Sequence, residues 1–140
     1  MKVKNARPVR AGGLKEVMES DRIAFTQGSC HQLAIAIHKE TDWPVCAFKD
    51  NWSGSWDVHA VVKTPGGRYL DIEGLHTRNS LFRKWIREDS TFSDSGYGLQ
   101  VVKNPEKALA DWDFGNPYFD SMARAKELVP VLLKEYVLVV

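Results

Sequence analysis

The sequence predicts an α+β fold in a single domain, and two apolar patterns lead to that prediction. Residues 29–40 read as a helix, because apolar side chains recur at helical spacing from Cys30 onward. Gly28 and Ser29, directly before Cys30, are typical of a helix start. Residues 57–63 and 68–72 read as two short strands, and Thr64-Pro65-Gly66-Gly67 between them is a strong turn signal. We therefore expect a buried helix together with an antiparallel hairpin at the centre of a sheet.

The composition is that of an ordinary soluble globular chain. Its 140 residues are 44% hydrophobic and 26% charged, which suits one domain with a substantial core. The formal net charge of +1 gives no electrostatic argument for nucleic acid as a partner. No apolar run is long enough for a membrane span, and the charged start at residues 1–4 lacks the apolar core of a signal peptide. We expect a cytoplasmic protein without a membrane partner, in which Cys30 and Cys46 are reduced.

The remaining elements follow from local signals. The expected helices start near residue 14, after the capping Thr77, and at the two Asn-Pro pairs 104–105 and 116–117. Further strands are expected at residues 45–48 and 99–102, and the first hairpin is expected to end at Gly74. Pro130 must kink or end the last helix, and the apolar tail at 136–140 should add a strand or pack in a groove.

Cys30 is expected in the first turn of the buried helix. Unpaired backbone N–H groups and the positive end of the helix dipole meet there, and this setting favours a thiolate over a thiol. A nucleophilic cysteine needs such a position. The alternative is a small core cysteine, because cysteine is among the residue types most often buried.

The length of the hairpin loop decides whether His59 and Asp71 can meet. A three-residue loop at 65–67 pairs Thr64 with Arg68 and makes His59 and Asp71 diagonal neighbours on one face of the sheet. A four-residue loop would place them on opposite faces, because a slip of one residue reverses every side chain. Glycine at the left-handed loop position favours the three-residue form.

A cysteine at a helix start, a histidine on a strand and an aspartate on the next strand have clear catalytic roles. Cys30 would be the nucleophile, His59 would take or share its proton, and Asp71 would hold the imidazole in the right tautomer. The backbone N–H of Cys30 could bind a developing oxyanion, with Gln27 as the nearest second donor. The alternative to a catalytic role is a hydrogen-bonded histidine at a sheet edge for His59 and a carboxylate that flanks a turn for Asp71. A zinc site is disfavoured, because structural zinc usually has closely spaced ligand pairs.

These segments resemble the core of the papain-like, transglutaminase-like thiol enzymes. The resemblance covers about residues 23–75, and it rests on the motifs Gly28-Ser29-Cys30-His31-Gln32-Leu33-Ala34, Asp57-Val58-His59-Ala60-Val61-Val62 and Gly67-Arg68-Tyr69-Leu70-Asp71-Ile72-Glu73-Gly74. In this superfamily the order is Cys, His, Asp, with the cysteine heading a helix and the other two residues on adjacent antiparallel strands. The resemblance implies that the helix packs on an antiparallel sheet, that an acyl group, usually an amide, is attacked, and that Cys30, His59 and Asp71 are the triad.

Two departures from the superfamily leave the substrate open. His31 stands where the peptidases have a tryptophan after the cysteine, and the chain is very small for a transglutaminase. It looks like a small phage or bacterial member. We expect a peptidase, deamidase or transglutaminase-like enzyme that acts on a protein or peptide without a cofactor or metal. The alternative is a non-catalytic phage or bacterial binding module on the same fold that engages a host protein; the sequence leaves the oligomeric state open.

Two tryptophans flank Gly54 in the loop that leads to His59. In an enzyme, Trp52 and Trp56 would line the acyl-donor cleft, whereas in a binding module they would be anchors for the partner. Plain packing is the third possibility for both rings, since large aromatic side chains carry much of the burial energy of a core.

Overall fold

The computed structural model describes residues 16–86, 96–110 and 121–137. The helices in these ranges are α1 (Glu19–Thr26), α2 (Cys30–Thr41), α3 (Arg78–Trp85), α4 (Pro105–Ala108), α5 (Ser121–Leu132) and a π-helix (Leu133–Val137). The strands are β1 (Val45–Asp50), β2 (Trp56–Lys63), β3 (Tyr69–Asp71), β4 (Gly74–His76) and β5 (Tyr97–Val101). None of the helices in these ranges is long and apolar enough to cross a membrane.

The five strands form one sheet in the order β4-β3-β2-β1-β5, with every neighbouring pair antiparallel. The hairpin of β2 and β3 therefore lies inside the sheet, with β2 as its central strand. The predicted α+β class with this hairpin at the centre of an antiparallel sheet is confirmed.

The predicted three-residue loop between β2 and β3 is also confirmed. The backbone N–H of Thr64 donates to the carbonyl of Arg68 at 2.8 Å, and Val62 stands opposite Leu70. Gly67 has a φ of 87°, which is the left-handed backbone that the loop requires and that glycine adopts without strain. This register places residues 59 and 71 on the same face of the sheet.

Each face of the sheet packs against its own set of helices. On the first face, α2 and α5 cover apolar side chains of β1, β2 and β3, namely Val45, Ala47, Ala60, Val62 and Leu70. On the second face, α3 contributes Leu81 and Phe82 to a smaller cluster whose sheet members are Cys46, Phe48, Val61, Tyr69 and Leu99. The helix that begins with Cys30 thus lies on the larger core.

Strand β2 has an irregularity at the point where the site forms. Ala47 of β1 pairs with Ala60, but the next residue, Phe48, pairs with Asp57, so two residues of β2 have no partner on β1. One of them, Val58, has a φ of 72°, and its side chain packs with the second-face cluster. A regular strand would place Val58 on the face of Ala60; the bulge breaks this alternation and re-aims the strand.

Several element ends differ from the predictions. Helix α1 begins at Glu19 and continues to Thr26, so the expected start near residue 14 is wrong for the described residues 16–18, which are not helical. Residues 14–15, 116–117 and 138–140 lie outside the described residues. Gly74 begins strand β4 instead of ending the sheet, and β5 starts at Tyr97, two residues before the expected strand. Pro130 is accommodated within α5, which passes directly into the π-helix, so Tyr136 lies in a helical turn and not in a strand.

Candidate active site

The start of α2 is tied to the rest of the fold by Ser29. Its backbone N–H donates to the carbonyl of Ala24 at 3.0 Å, and its hydroxyl hydrogen-bonds with the hydroxyl of Ser121 over 2.9 Å. Both serines are buried, and Ser121 is the first residue of α5. The residue that follows, Cys30, is therefore held at the first helical position by contacts to two other helices.

Cys30 faces the central strand of the sheet. Its sulfur accepts a hydrogen bond from the backbone N–H of Ala60 over 3.4 Å. Ala60 comes directly after the two residues of β2 that have no partner on β1, so the bulge lies beside the sulfur. Only 5% of Cys30 is exposed, and the cysteine is a member of the larger core.

His59 and Asp71 meet as the hairpin register predicts. The Nε2 atom of His59 lies 2.8 Å from Oδ2 of Asp71, and both side chains are buried. Since an ionised carboxylate only accepts hydrogen bonds, Nε2 carries the proton of this pair. The other ring nitrogen, Nδ1, is buried and makes no hydrogen bond within the described residues.

The electrostatics of His59 link it to both partners. Burial by itself lowers the pKa of His59, but the hydrogen bond with Asp71 and the interaction with the Cys30 side chain outweigh it, and the pKa rises from 6.5 to about 9. The imidazole is therefore mostly protonated at neutral pH. An imidazolium beside a cysteine stabilises the thiolate form of the sulfur.

Asp71 is the acceptor of three hydrogen bonds. Besides His59 at Oδ2, the backbone N–H of Glu73 and Nε2 of His76 both donate to Oδ1 at 2.8 Å. Burial works to raise the pKa of Asp71, but the hydrogen bonds from the two histidines outweigh it and hold the pKa well below its usual range. The carboxylate is therefore an anion throughout the physiological pH range.

His76 and Trp85 belong to the site but were not predicted as site residues. His76 ends β4 beside Asp71 and directly precedes Thr77, which caps α3. The sequence signal that could have revealed β4 is Gly74, which follows a turn of two residues after Asp71. Trp85 was expected only as an apolar residue of its helix; its ring stacks on His59, with centroids 4.0 Å apart and planes 16° apart.

The other predicted site residues lie outside this group. Gln27 is exposed at the end of α1, and no hydrogen bond within the described ranges joins its side chain to the triad. Trp52 is 91% exposed, so the packing alternative is wrong for this ring. Trp56 is half-buried, packs against the larger core and has the Lys49 ammonium 5.0 Å from its ring centroid.

The second cysteine has a different environment. Cys46 lies in β1 and is buried. Burial raises the pKa of the Cys46 thiol to about 11, although the positive charges of Lys63 and Arg78 oppose the rise. Cys46 is therefore a neutral thiol near neutral pH, and the charged groups that act on its pKa are Lys63 and Arg78.

The site is closed to solvent in this conformation. His59 is fully buried, Asp71 is 3% exposed, and Trp85 covers one face of the imidazole. A substrate could reach the sulfur only after a neighbouring side chain moves. Among the described residues, no three or more His, Cys, Asp or Glu side chains form a group that could hold a metal ion.

In comparisons with protein-family models, curated proteins and solved structures, no significant match to the chain was found. The antiparallel α+β fold and the buried cysteine, histidine and aspartate are therefore the basis for assigning a function.

Proposed function

We propose that the protein is a cysteine-dependent hydrolase or acyl transferase with a papain-like, transglutaminase-like core, acting on an amide of a protein or peptide. One observation carries this proposal: Nε2 of His59 lies 2.8 Å from Oδ2 of Asp71, and the sulfur of Cys30 accepts a hydrogen bond from the backbone N–H of Ala60, the residue next to His59. The proposed nucleophile, the base and the group that orients the base thus lie together in the fold.

The proposed reaction has two halves. The Cys30 thiolate attacks the carbonyl carbon of the amide, and the C–N bond breaks as protonated His59 gives its proton to the leaving amine. A thioester on Cys30 remains. Water or an amine then attacks the thioester carbonyl, His59 takes the proton of that attacking group, and the C–S bond breaks to release the acid or the new amide.

The helix start supplies a group for the tetrahedral intermediate. The backbone N–H of Cys30 belongs to the first turn of α2, where N–H groups have no acceptor within the helix. Such a donor can bind the oxyanion that forms on the attacked carbonyl. Gln27 stays a candidate for the second donor, but its side chain would have to turn toward the site from the exposed end of α1.

Acyl transfer from p-nitrophenyl acetate tests the proposal without knowledge of the natural substrate. We expect mass spectrometry of the whole protein and of its peptides to show one acetyl group on Cys30, removable by hydroxylamine because it is a thioester. Cys30→Ser should remove the fast acetylation, whereas the matched variant Cys46→Ser should retain it. His59→Ala should slow acetylation at pH 7 by about a hundredfold, the lower range for general acid–base catalysis.

Equal acetylation of the two cysteines, or a Cys30 rate unaffected by His59→Ala, would contradict the enzymatic proposal.

A second candidate, the non-catalytic binding module, is favoured by one observation: Trp52 exposes 91% of its surface, and an exposed tryptophan is a frequent anchor for a protein partner. In that case Cys30→Ala would leave the biological activity of the protein intact, and Trp52→Ala would remove it.

A further inference from the structure

The carboxylate of Asp71 is shared by two histidines that approach it from different strands. His59 on β2 binds Oδ2, and His76 on β4 binds Oδ1, each at 2.8 Å. The side chain of His76 is 15% exposed, and that of Asp71 is 3% exposed. A hydrogen bond between largely buried groups, one of them charged, is stronger than a surface contact and fixes geometry.

We propose that His76 is a positioning residue of the thiol site, which holds the Asp71 carboxylate so that its other oxygen stays aimed at His59. This inference rests on the proposed function and adds a fourth member to the relay of Cys30, His59 and Asp71. Without His76, Oδ1 would keep only the backbone N–H of Glu73 as a donor, and the less restrained carboxylate could rotate about its Cβ–Cγ bond and weaken the contact with His59.

The backbone around His76 is built for this contact. Asp71 pairs with Gly74 across a two-residue turn, and His76 pairs with Tyr69. Because Tyr69 and Asp71 share a face of the sheet, His76 is a diagonal neighbour of Asp71 on that face. The turn also directs the N–H of Glu73 to Oδ1, so that the carboxylate oxygen has two donors. Glu73 is in turn paired with Lys84 of α3. The contact of His76 is thus part of a connected structure and not an isolated surface hydrogen bond.

The ionisable groups around Asp71 come from several elements. His59 of β2 binds one carboxylate oxygen and His76 of β4 binds the other, and Cys30 of α2 acts on the pKa of His59. Tyr136 of the π-helix lies near enough for the negative charge of Asp71 to contribute to raising the pKa of its hydroxyl, although burial is the larger cause. Among these described groups, only His59 and His76 donate side-chain hydrogen bonds to the carboxylate.

The rate of alkylation of Cys30 by iodoacetamide as a function of pH tests the proposal. We expect His76→Phe to lower the rate at pH 7 by about tenfold, the loss expected when one hydrogen bond to a charged group is removed. The dependence of the rate on pH should also change, because Asp71 then holds the His59 ring less firmly. His76→Gln retains an N–H donor at the place of Nε2 and should restore most of the rate.

His38→Phe is the matched control. His38 is also a half-buried histidine with one hydrogen bond, from Nδ1 to the carbonyl of Trp43 over 2.8 Å, but it lies at the opposite end of α2. The control should leave the alkylation profile unchanged. Because His76 acts through Asp71, adding His76→Phe to Asp71→Asn should cause no further loss of rate.

The outcomes separate this inference from the proposed function. If His59→Ala changes the Cys30 profile but His76→Phe and His76→Gln do not, His76 has only a structural role and the inference is wrong. If His59→Ala itself leaves the profile unchanged, the thiol site as a whole is wrong. Should His76→Phe fail to fold, His76→Asn replaces it: its shorter side chain cannot reach Asp71, so an asparagine variant as reactive as the glutamine variant would overturn the inference.

Discussion

At the scale of single residues, the charge of the site is concentrated on one buried pair. The folded structure raises the pKa of His59 to about 9 and holds that of Asp71 well below its usual value. The two side chains lie 2.8 Å apart and exclude water between them. Both shifts favour the charged forms, so the pair stabilises the fold only where both charges exist.

This pair makes stability depend on pH in a defined window. The raised pKa of His59 contributes stability that is complete below pH 6.5, the unfolded value, and is lost as the pH rises through about 9. We expect the free energy of unfolding to fall by up to about 3 kcal/mol across this interval. The depressed pKa of Asp71 acts on the acid side: its contribution is present above about pH 3.8 and is lost as the pH falls further.

Urea unfolding at a series of pH values between 6 and 9 measures the effect. His59→Gln should flatten the decline in this interval, and His38→Gln, which changes a histidine outside the site, should not. A decline that is identical in the His59→Gln variant would show that another group is responsible. Cys46 contributes to the decline only near the upper end of this window, because its thiol has a pKa of 9.0 in the unfolded chain and about 11 in the folded protein.

At the scale of elements, the turn between β3 and β4 is the most constrained part of the site. Gly74 has a φ of 114°, and a Cβ atom at this position would lie 2.9 Å from Cε1 of Tyr136. Glycine is needed here both for its backbone conformation and for the close approach of the tyrosine ring. The π-helix after α5 thereby packs directly on the strand that carries His76.

Gly74→Ala should therefore destabilise the protein by about 2–3 kcal/mol, the sum of a strained left-handed backbone and a steric clash. Gly67→Ala is the matched control, because Gly67 also has a positive φ of 87° but nothing lies within 4 Å of the added Cβ. It should cost about 1 kcal/mol from strain alone. Both values come from chemical denaturation; equal losses in the two variants would show that the contact with Tyr136 is unimportant.

At the scale of the whole molecule, an ion pair joins helices α1 and α5, which are far apart in the sequence. Nε and Nη2 of Arg124 on α5 donate to the two carboxylate oxygens of Asp21 on α1, at 2.8 and 2.7 Å. Asp21 is 4% exposed and also accepts the backbone N–H of Met18 at the start of α1. Both helices flank Ser29 and Ser121, so this pair supports the contacts that position Cys30.

Arg124→Gln should destabilise the fold by about 3 kcal/mol, because it leaves the carboxylate of Asp21 buried without its cation. Lys39→Gln removes a surface ion pair with Glu106, which is 2.8 Å long but largely exposed, and should cost less than about 1 kcal/mol. Thermal unfolding of both variants gives the comparison. The double variant Asp21→Asn/Arg124→Gln should recover part of the loss; no recovery would mean that the buried charge is not the cause.

Much of the candidate site could be predicted because it depends on short-range sequence signals. The turn residues and loop length between β2 and β3 determine the register that pairs Val62 with Leu70, and His59 and Asp71 meet across the hairpin so formed. The Gly28-Ser29 pair and the apolar spacing after it likewise determine that Cys30 begins a helix. These predictions depend on residues fewer than about fifteen positions apart, so no knowledge of the packing was needed.

The sequence by itself therefore determined the α+β class, the helix start at Cys30 and the hairpin that joins His59 to Asp71. Only the tertiary structure decided that β2 bulges beside the sulfur, that His76 is the second donor to Asp71 and that Trp85 covers the imidazole. Those features depend on how α2, α3 and β4 pack around the sheet. Packing between distant segments is set by the shape and burial of the whole core, which local spacing does not encode.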